Sequence, residues 1–202
     1  MARCVVFCAG GFDGLASPLL PDDYIIAADG GFSHVQTLGC APDCILGDFD
    51  SLGYTPEGAQ VFPVEKNDTD AMLAVRHGLS LGYKEFLFYG ALEGARLDHT
   101  VANYQTLLFL AKHGAKGTLI GKHQCVTTVT DGKMEFPAGT EGTVSVFAFG
   151  GEAKGVTLRG LQYNVKNVTL TPDFPLGVSN HFTNSAASIE VHAGTLLVIY
   201  PL

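Results

Sequence analysis

Four short motifs, each joining an acid or a cation to glycine or a helix start, hold the residues most able to do chemistry in this chain. They are Ala28-Asp29-Gly30-Gly31, Gly47-Asp48-Phe49-Asp50-Ser51, Lys66-Asn67-Asp68-Thr69-Asp70, and the stretch from Gly90 to His99 that contains Arg96 and Asp98. Asp48 and Asp50 are two apart, which in extended backbone points both to one side. Carboxylates forced together repel unless a counter-charge joins them. A divalent cation supplies it, and Mg²⁺ suits an all-oxygen set that also takes substrate phosphates. Glycines let backbone N–H groups approach phosphate oxygens, and a helix N-terminus offers positive potential. Arg96 can grip a phosphate with two parallel hydrogen bonds. These parts suit transfer of a phosphoryl or pyrophosphoryl group, where catalysis is mainly positioning and charge neutralisation.

Taken singly, each motif has a plainer reading. Asp29-Gly30-Gly31 is also a turn, Asp48 and Asp50 also fit a loop cap, and Asp68 and Asp98 also fit helix N-caps. The conjunction is what carries weight, because all four fall at expected strand-to-helix junctions. There is no Walker A pattern and no GxGxxG, so P-loop and dinucleotide readings have no support.

The elements that must position these residues alternate in the first part of the chain. Residues 4–8, 24–28, 44–46, 85–89 and 117–120 read as strands. Residues 32–38, 69–81 and 100–113 read as helices, the second capped by Asp68 or Thr69 and the third by Asp98. Such alternation implies a mostly parallel sheet, whose strand ends converge on one ligand crevice. From Cys125 onward the pattern changes to short β segments without a helix. Residues 126–130 and 133–136 flank Asp131-Gly132, a hairpin signature. Further strands are expected at 143–149, 156–158, 163–170, 187–192 and 195–200. The expectation is an α/β fold: an N-terminal mostly parallel α/β catalytic domain over 1–124, then a C-terminal antiparallel β-sandwich domain over 125–202.

Composition narrows the class. Of 202 residues, 47% are apolar and 16% charged, enough for a core and unlike a disordered chain. A net charge of −8 argues against a nucleic-acid binder. No apolar run reaches the roughly 20 residues that span a bilayer, so no membrane partner is expected. The five cysteines show no disulfide or zinc spacing, and Cys4 and Cys8 read as buried thiols. A cytoplasmic protein is the expectation.

In this order, the motifs closely resemble those of thiamine pyrophosphokinases, a family with a D-G-G turn, a G-D-F-D-S loop, a K-D-x-T-D segment and a G-x-x-G-G-R-x-D-H segment. Gly160-Leu161-Gln162-Tyr163 resembles the family's G-L-x-Y, and Gly177-Val178-Ser179-Asn180 its G-x-S-N, so the likeness runs through nearly the whole chain. It implies an ATP- and Mg²⁺-dependent enzyme that passes the terminal pyrophosphate of ATP to thiamine, giving thiamine diphosphate and AMP. By position, Asp29, Asp48, Asp50 and Asp70 would hold Mg²⁺. Asp29, Gly30, Gly31, Asp48, Thr69 and Arg96 would face the nucleotide. Asp50, Asp70, Arg96 and Asp98 would form the catalytic set, and Ser179 and Asn180 would lie near the thiamine pyrimidine. A homodimer with thiamine at the subunit interface is implied. The chain departs from the pattern at Asn67, where Asp is usual, at Ala95, where Gly is usual, and at His181, where Glu is common.

Two other readings share these residues. One keeps the chemistry and changes the acceptor to another hydroxymethyl heterocycle, such as a pterin; the G-x-S-N match speaks against it. The other is a non-catalytic thiamine-binding sensor, motivated by Asn67 and Ala95. The group that takes the hydroxyl proton stays open between a carboxylate such as Asp98 and metal-assisted ionisation.

Overall fold

The computed structural model describes residues 2–65 and 67–202. The chain divides into two compact units, Met1–Lys122 and His123–Leu202.

Among the described residues the first unit holds six parallel strands: β1 (Cys4–Phe7), β2 (Tyr24–Ala28), β3 (Cys44–Gly47), β4 (Gln60–Val61), β5 (Glu85–Tyr89) and β6 (Lys116–Ile120). Their order is β6-β5-β1-β2-β3-β4. β1 is buried along its whole length, as are Phe86 and Phe88 of β5, which fits strands covered on both faces. The helices are α1 (Phe32–Thr37), α2 (Asp70–Ser80) and α3 (Leu97–Lys112). Asp29–Gly31 forms a 3-10 turn that runs into α1. α3 packs Leu107 and Leu110 into the core, and Gly117 of β6 leaves them room: a Cβ there would lie 2.6 Å from Leu107 Cδ2. The chain order reverses at β1, with β2 to one side and β5 to the other. That reversal opens a crevice at the carboxyl ends of the strands.

Two expectations in this unit need correction. α3 starts at Leu97, three residues before the expected start, and its N-cap position is Arg96, with no side-chain cap bond. Asp98 lies inside the first turn, because its carboxylate is taken up by Arg96. The segment between Asp48 and Asp50 is not extended. Phe49 is buried with φ of 60°, so the backbone reverses there and the two acids meet through a tight turn.

The second unit consists of β7 (Gln124–Thr130), β8 (Lys133–Phe136), β9 (Thr143–Ala148), β10 (Ala153–Arg159), β11 (Val165–Leu170), β12 (Gly177–His181), β13 (Ala187–Glu190) and β14 (Thr195–Pro201). One antiparallel layer runs β12-β9-β14-β7 and the other β11-β10-β13-β8. Val144, Val146, Leu196 and Val198 from the first meet Val156, Leu158 and Ile189 from the second in a shared core. This is the expected sandwich.

The Asp131-Gly132 hairpin does not form as a ladder. β7 pairs with β14, and β8 pairs with β13 in the other layer. The turn chemistry is real, since Asp131 has φ of 44° and its Oδ1 accepts the Gly194 N–H. It carries the chain across the sandwich. β12 had no sequence signal as a strand, because four of its five residues are not buried and it bulges between Gly177 and Asn180.

Candidate active site

Four strand ends of the first unit deliver the site. β1 leads to Ala9 and Gly10, β2 to Asp29, β3 to Asp48, and β5 to Gly90. The loops after β1 and β5 are stitched together by Gly10 N–H to Gly90 O at 2.9 Å and Gly11 N–H to Glu93 O at 2.6 Å. Together with α2 and α3 they surround a cleft of about 460 Å³. Its lining includes Asp29, Asp48, Asp50, Ser51, Thr69, Asp70, Glu93, Arg96, His99 and Asn103.

Asp29 is held with care. It is 8% exposed, and its φ of 48° is in the left-handed region, where Asp is among the few side chains tolerated. Gly31 makes this turn possible: a Cβ there would lie 1.9 Å from Phe7 O, on the fixed backbone of β1. Gly47 also lets β3 come close, since its Cβ would stand 3.0 Å from Asp29 Cα and from Asp29 N. The result is that one carboxylate oxygen each from Asp29, Asp48 and Asp50 lie within 4.8 Å of one another. Asp50 N–H donates to Asp48 Oδ1 at 3.3 Å, which tightens the turn. Asp29 Oδ2 accepts the Ser51 hydroxyl at 2.5 Å. Asp29 Oδ1 is buried and has no hydrogen-bond partner among the described residues.

This arrangement fits a hard divalent cation on chemical grounds. The donors are all oxygen, three negative groups are crowded, and Asp29 Oδ1 is buried without a donor among the described residues.

The other walls come from helix starts. Thr69 caps α2 by accepting the Met72 N–H at 3.2 Å, and Asp70 opens its first turn in the cleft. Asp68 turns away: Arg76 grips it through Nε at 2.9 Å and lies over the Phe109 ring, its guanidinium 5.1 Å from the centroid. Arg96 is at the cleft rim, bonded to Asp98 through Nε at 3.0 Å and through a terminal nitrogen at 2.7 Å. Those hydrogen bonds hold the Asp98 carboxyl down at about 2, well below its ordinary value. Cys8 lines the cleft as a neutral thiol, because burial and then Asp70 push it up to about 12. Asn103 is buried and donates to Ala91 O at 2.8 Å, fixing the loop after β5 to α3.

Of the residues expected from sequence, Asp29, Asp48, Asp50, Thr69, Asp70 and Arg96 are brought together in this cleft. Gly30, Gly31 and Asp98 are outside its lining; the two glycines act on backbone geometry. Lys66 lies outside the described residues. Ser179 and Asn180 are on β12 of the second unit. Ser179 is exposed with φ of 58°. Asn180 is buried, with its amide committed to Tyr163: Oδ1 accepts the Tyr163 N–H at 2.9 Å and Nδ2 donates to Tyr163 O at 2.7 Å. The G-L-x-Y and G-x-S-N segments are therefore tied to each other. Ser51, Glu93 and Asn103 are cleft residues that sequence reasoning passed over. Ser51 stood inside a quoted motif, but its partner is 22 residues away.

Comparison with known proteins gives a consistent result. The family model described as "Thiamin pyrophosphokinase, catalytic domain" matches residues 19–119. That described as "Thiamin pyrophosphokinase, vitamin B1 binding domain" matches residues 133–196. A thiamine pyrophosphokinase of Bacillus subtilis is 26% identical over 183 residues, covering 86% of this chain and 85% of its own. The crystal structure of the Bacillus subtilis enzyme superposes with a TM-score of 0.84 at 25% identity, covering 100% of this chain and 99% of that one. A family protein from Enterococcus faecalis gives 0.80 at 24% identity, with coverage of 100% and 99%. The same fold extends to the Candida albicans protein, with a TM-score of 0.73 at 14% identity, covering 100% of this chain and 89% of that one. With both domain models matched in order across an α/β unit and a β-sandwich, this chain is an enzyme of the thiamin pyrophosphokinase family.

Proposed function

We propose that the protein transfers the pyrophosphoryl group of ATP to the hydroxyl of thiamine, giving thiamine diphosphate and AMP. The observation that carries this reading is the meeting of Asp29, Asp48 and Asp50 within 4.8 Å in a cleft that also holds Asp70 and Arg96. In this reading Asp29, Asp48, Asp50 and Asp70 hold Mg²⁺, which when bound neutralises phosphate charge and makes the β-phosphorus easier to attack. Thr69 and the first N–H groups of α2 face the phosphates from the positive end of the helix. Arg96 takes a phosphate oxygen by exchanging it for part of its bond to Asp98. While paired, Asp98 is too weak a base to accept the hydroxyl proton; its release by phosphate makes it a better one. Gly30 and Gly31 serve the nucleotide side by fixing Asp29.

The α/β domain expected over 1–124, whose compact unit ends at Lys122, is assigned to ATP and Mg²⁺, and the β-sandwich to thiamine, with Ser179 presenting its hydroxyl and Asn180 shaping the loop at Tyr163. Tyr163, Phe174, Leu176 and Val178 leave an exposed apolar set on the second unit, which supports a homodimer. Five free cysteines, and no helix long and apolar enough to cross a membrane among the described residues, support a cytoplasmic location.

The test is AMP release by purified protein with ATP and Mg²⁺, with and without thiamine, and the product identified by mass. Thiamine-dependent AMP with a product heavier by one pyrophosphate is expected. AMP without thiamine overturns the acceptor; thiamine binding with no AMP makes the protein a sensor.

A further inference from the structure

Ser51 ends the Gly47–Ser51 loop, and its hydroxyl reaches back to Asp29 Oδ2 at 2.5 Å. The terminal torsion of an aspartate is broad, so the two oxygens of a carboxylate exchange places easily. A single strong donor removes that freedom. Asp29 is otherwise confined, nine-tenths buried on a left-handed backbone. With Oδ2 engaged, Oδ1 is left buried and without a donor. An oxygen in that state costs stability in the absence of a partner, and a cation supplies one. Gly30 belongs to the same device. A Cβ at Gly30 would stand 2.9 Å from Ser51 Oγ and 2.9 Å from Ala9 Cβ. The missing side chain is the space that the hydroxyl occupies, so the Asp29-Gly30-Gly31 and Gly47–Ser51 motifs are joined by this one contact.

We propose that Ser51 is a positioning residue for the divalent-cation site: its hydroxyl fixes the Asp29 carboxylate with Oδ1 turned to the cation. The proposal rests on the cation reading given above. Bonds from a second residue to a metal ligand are typically worth ten- to hundredfold in metal affinity.

Mn²⁺ uptake by the whole protein, followed by electron paramagnetic resonance, tests it without reference to turnover. Ser51→Ala is expected to bind Mn²⁺ about ten- to hundredfold more weakly. Ser51→Thr keeps the hydroxyl and stays within about threefold of the unaltered protein. Gly30→Ala keeps every carboxylate and the serine but crowds the hydroxyl. It weakens Mn²⁺ binding in the same direction, and serves if Ser51→Ala does not fold. A serine needed only for folding would lower the melting temperature and leave Mn²⁺ affinity alone. Equal affinity in folded Ser51→Ala and the unaltered protein overturns the proposal by itself. No Mn²⁺ uptake by the unaltered protein overturns the cation reading, and the proposal with it.

Discussion

Replacing Asp50 by Asn should do two opposite things. Its carboxylate oxygen lies within 4.8 Å of one from Asp29 and one from Asp48. At that spacing each like-charge pair repels by about 0.9 kcal/mol in water-like surroundings, and by about 3 kcal/mol at an effective dielectric near 20. Asp50 is exposed, so the lower figure governs, and Arg96, which feels Asp50 at the rim, offsets part of it. Removing two repulsions without changing shape should stabilise the metal-free protein by about 1 kcal/mol, a rise of about 2–4 °C in melting temperature. On the proposed reading the same change also removes a cation ligand. Several kcal/mol of charge stabilisation are then lost in the transition state, about 100-fold or more in rate. The assay is a pair of thermal melts, in chelator and in millimolar Mg²⁺, beside thiamine-dependent AMP release. The expected pattern is Asp50→Asn above the unaltered protein in chelator, a smaller Mg²⁺-induced rise, and severely reduced AMP. A folded Asp50→Asn protein that melts lower in chelator and turns over normally would refute the argument that these acids repel in wait for a cation.

Three further outcomes follow from the geometry. Gly31→Ala drives a Cβ to 1.9 Å from Phe7 O, where neither backbone can yield, so urea unfolding should show a loss of about 3 kcal/mol; a change under 1 kcal/mol would mean that the turn at Asp29 can shift. Asn180→Ala strips Tyr163 of both backbone partners in part-buried surroundings and should cost about 1–2 kcal/mol in the same measurement, with Asn180→Asp recovering only the acceptor half. Asp98 is depressed to about 2 by its hydrogen bonds to Arg96, so the stability from this pair is present above about pH 4 and lost as pH falls through about 2. Carboxyl NMR should place its midpoint there, and Arg96→Ala should return it towards the ordinary range; an Asp98 midpoint near 4 in the unaltered protein would show that the pair does not persist in solution.

Local signals in the sequence carried the reading as far as the interactions were local. Strand ends after residues 28 and 89 were visible because apolar runs stop at residues of different chemistry. Thr69 was visible as a cap because a hydroxyl three residues before a donor is a short-range matter. The acids could be gathered into one crevice because parallel strands must deliver their loops to one edge. What failed depended on distant partners. Asp131-Gly132 shows turn chemistry in either arrangement, and only the pairing of β7 with β14 and β8 with β13 decides that the turn changes layers. Asp98 looks like a cap by residue type, but its carboxylate is held chiefly by a guanidinium two residues earlier, from inside the first turn. By residue type, glycines at these strand ends indicate room for phosphate. At Gly31 the neighbour is the carbonyl of Phe7, which no local pattern announces. Ser51 and Asn180 have the same lesson: short polar side chains acquire meaning from partners 22 and 17 residues away.

The crossed layers also set a clock on synthesis. Thr130 of β7 meets Thr195 of β14, 65 residues later. A ribosome adds roughly 5–20 residues per second, so β7 emerges about 3–13 s before the strand that pairs with it residue for residue. β7 is buried over its central five residues in the finished unit, and during that wait it is a sticky ribbon with its β14 edge open. β10 and β11 can close as a hairpin, but β7 cannot join by one, because the first strand of this unit is finished only by its last. A nascent chain stalled after β13 should therefore be a better chaperone client than one stalled after β6 or after β14.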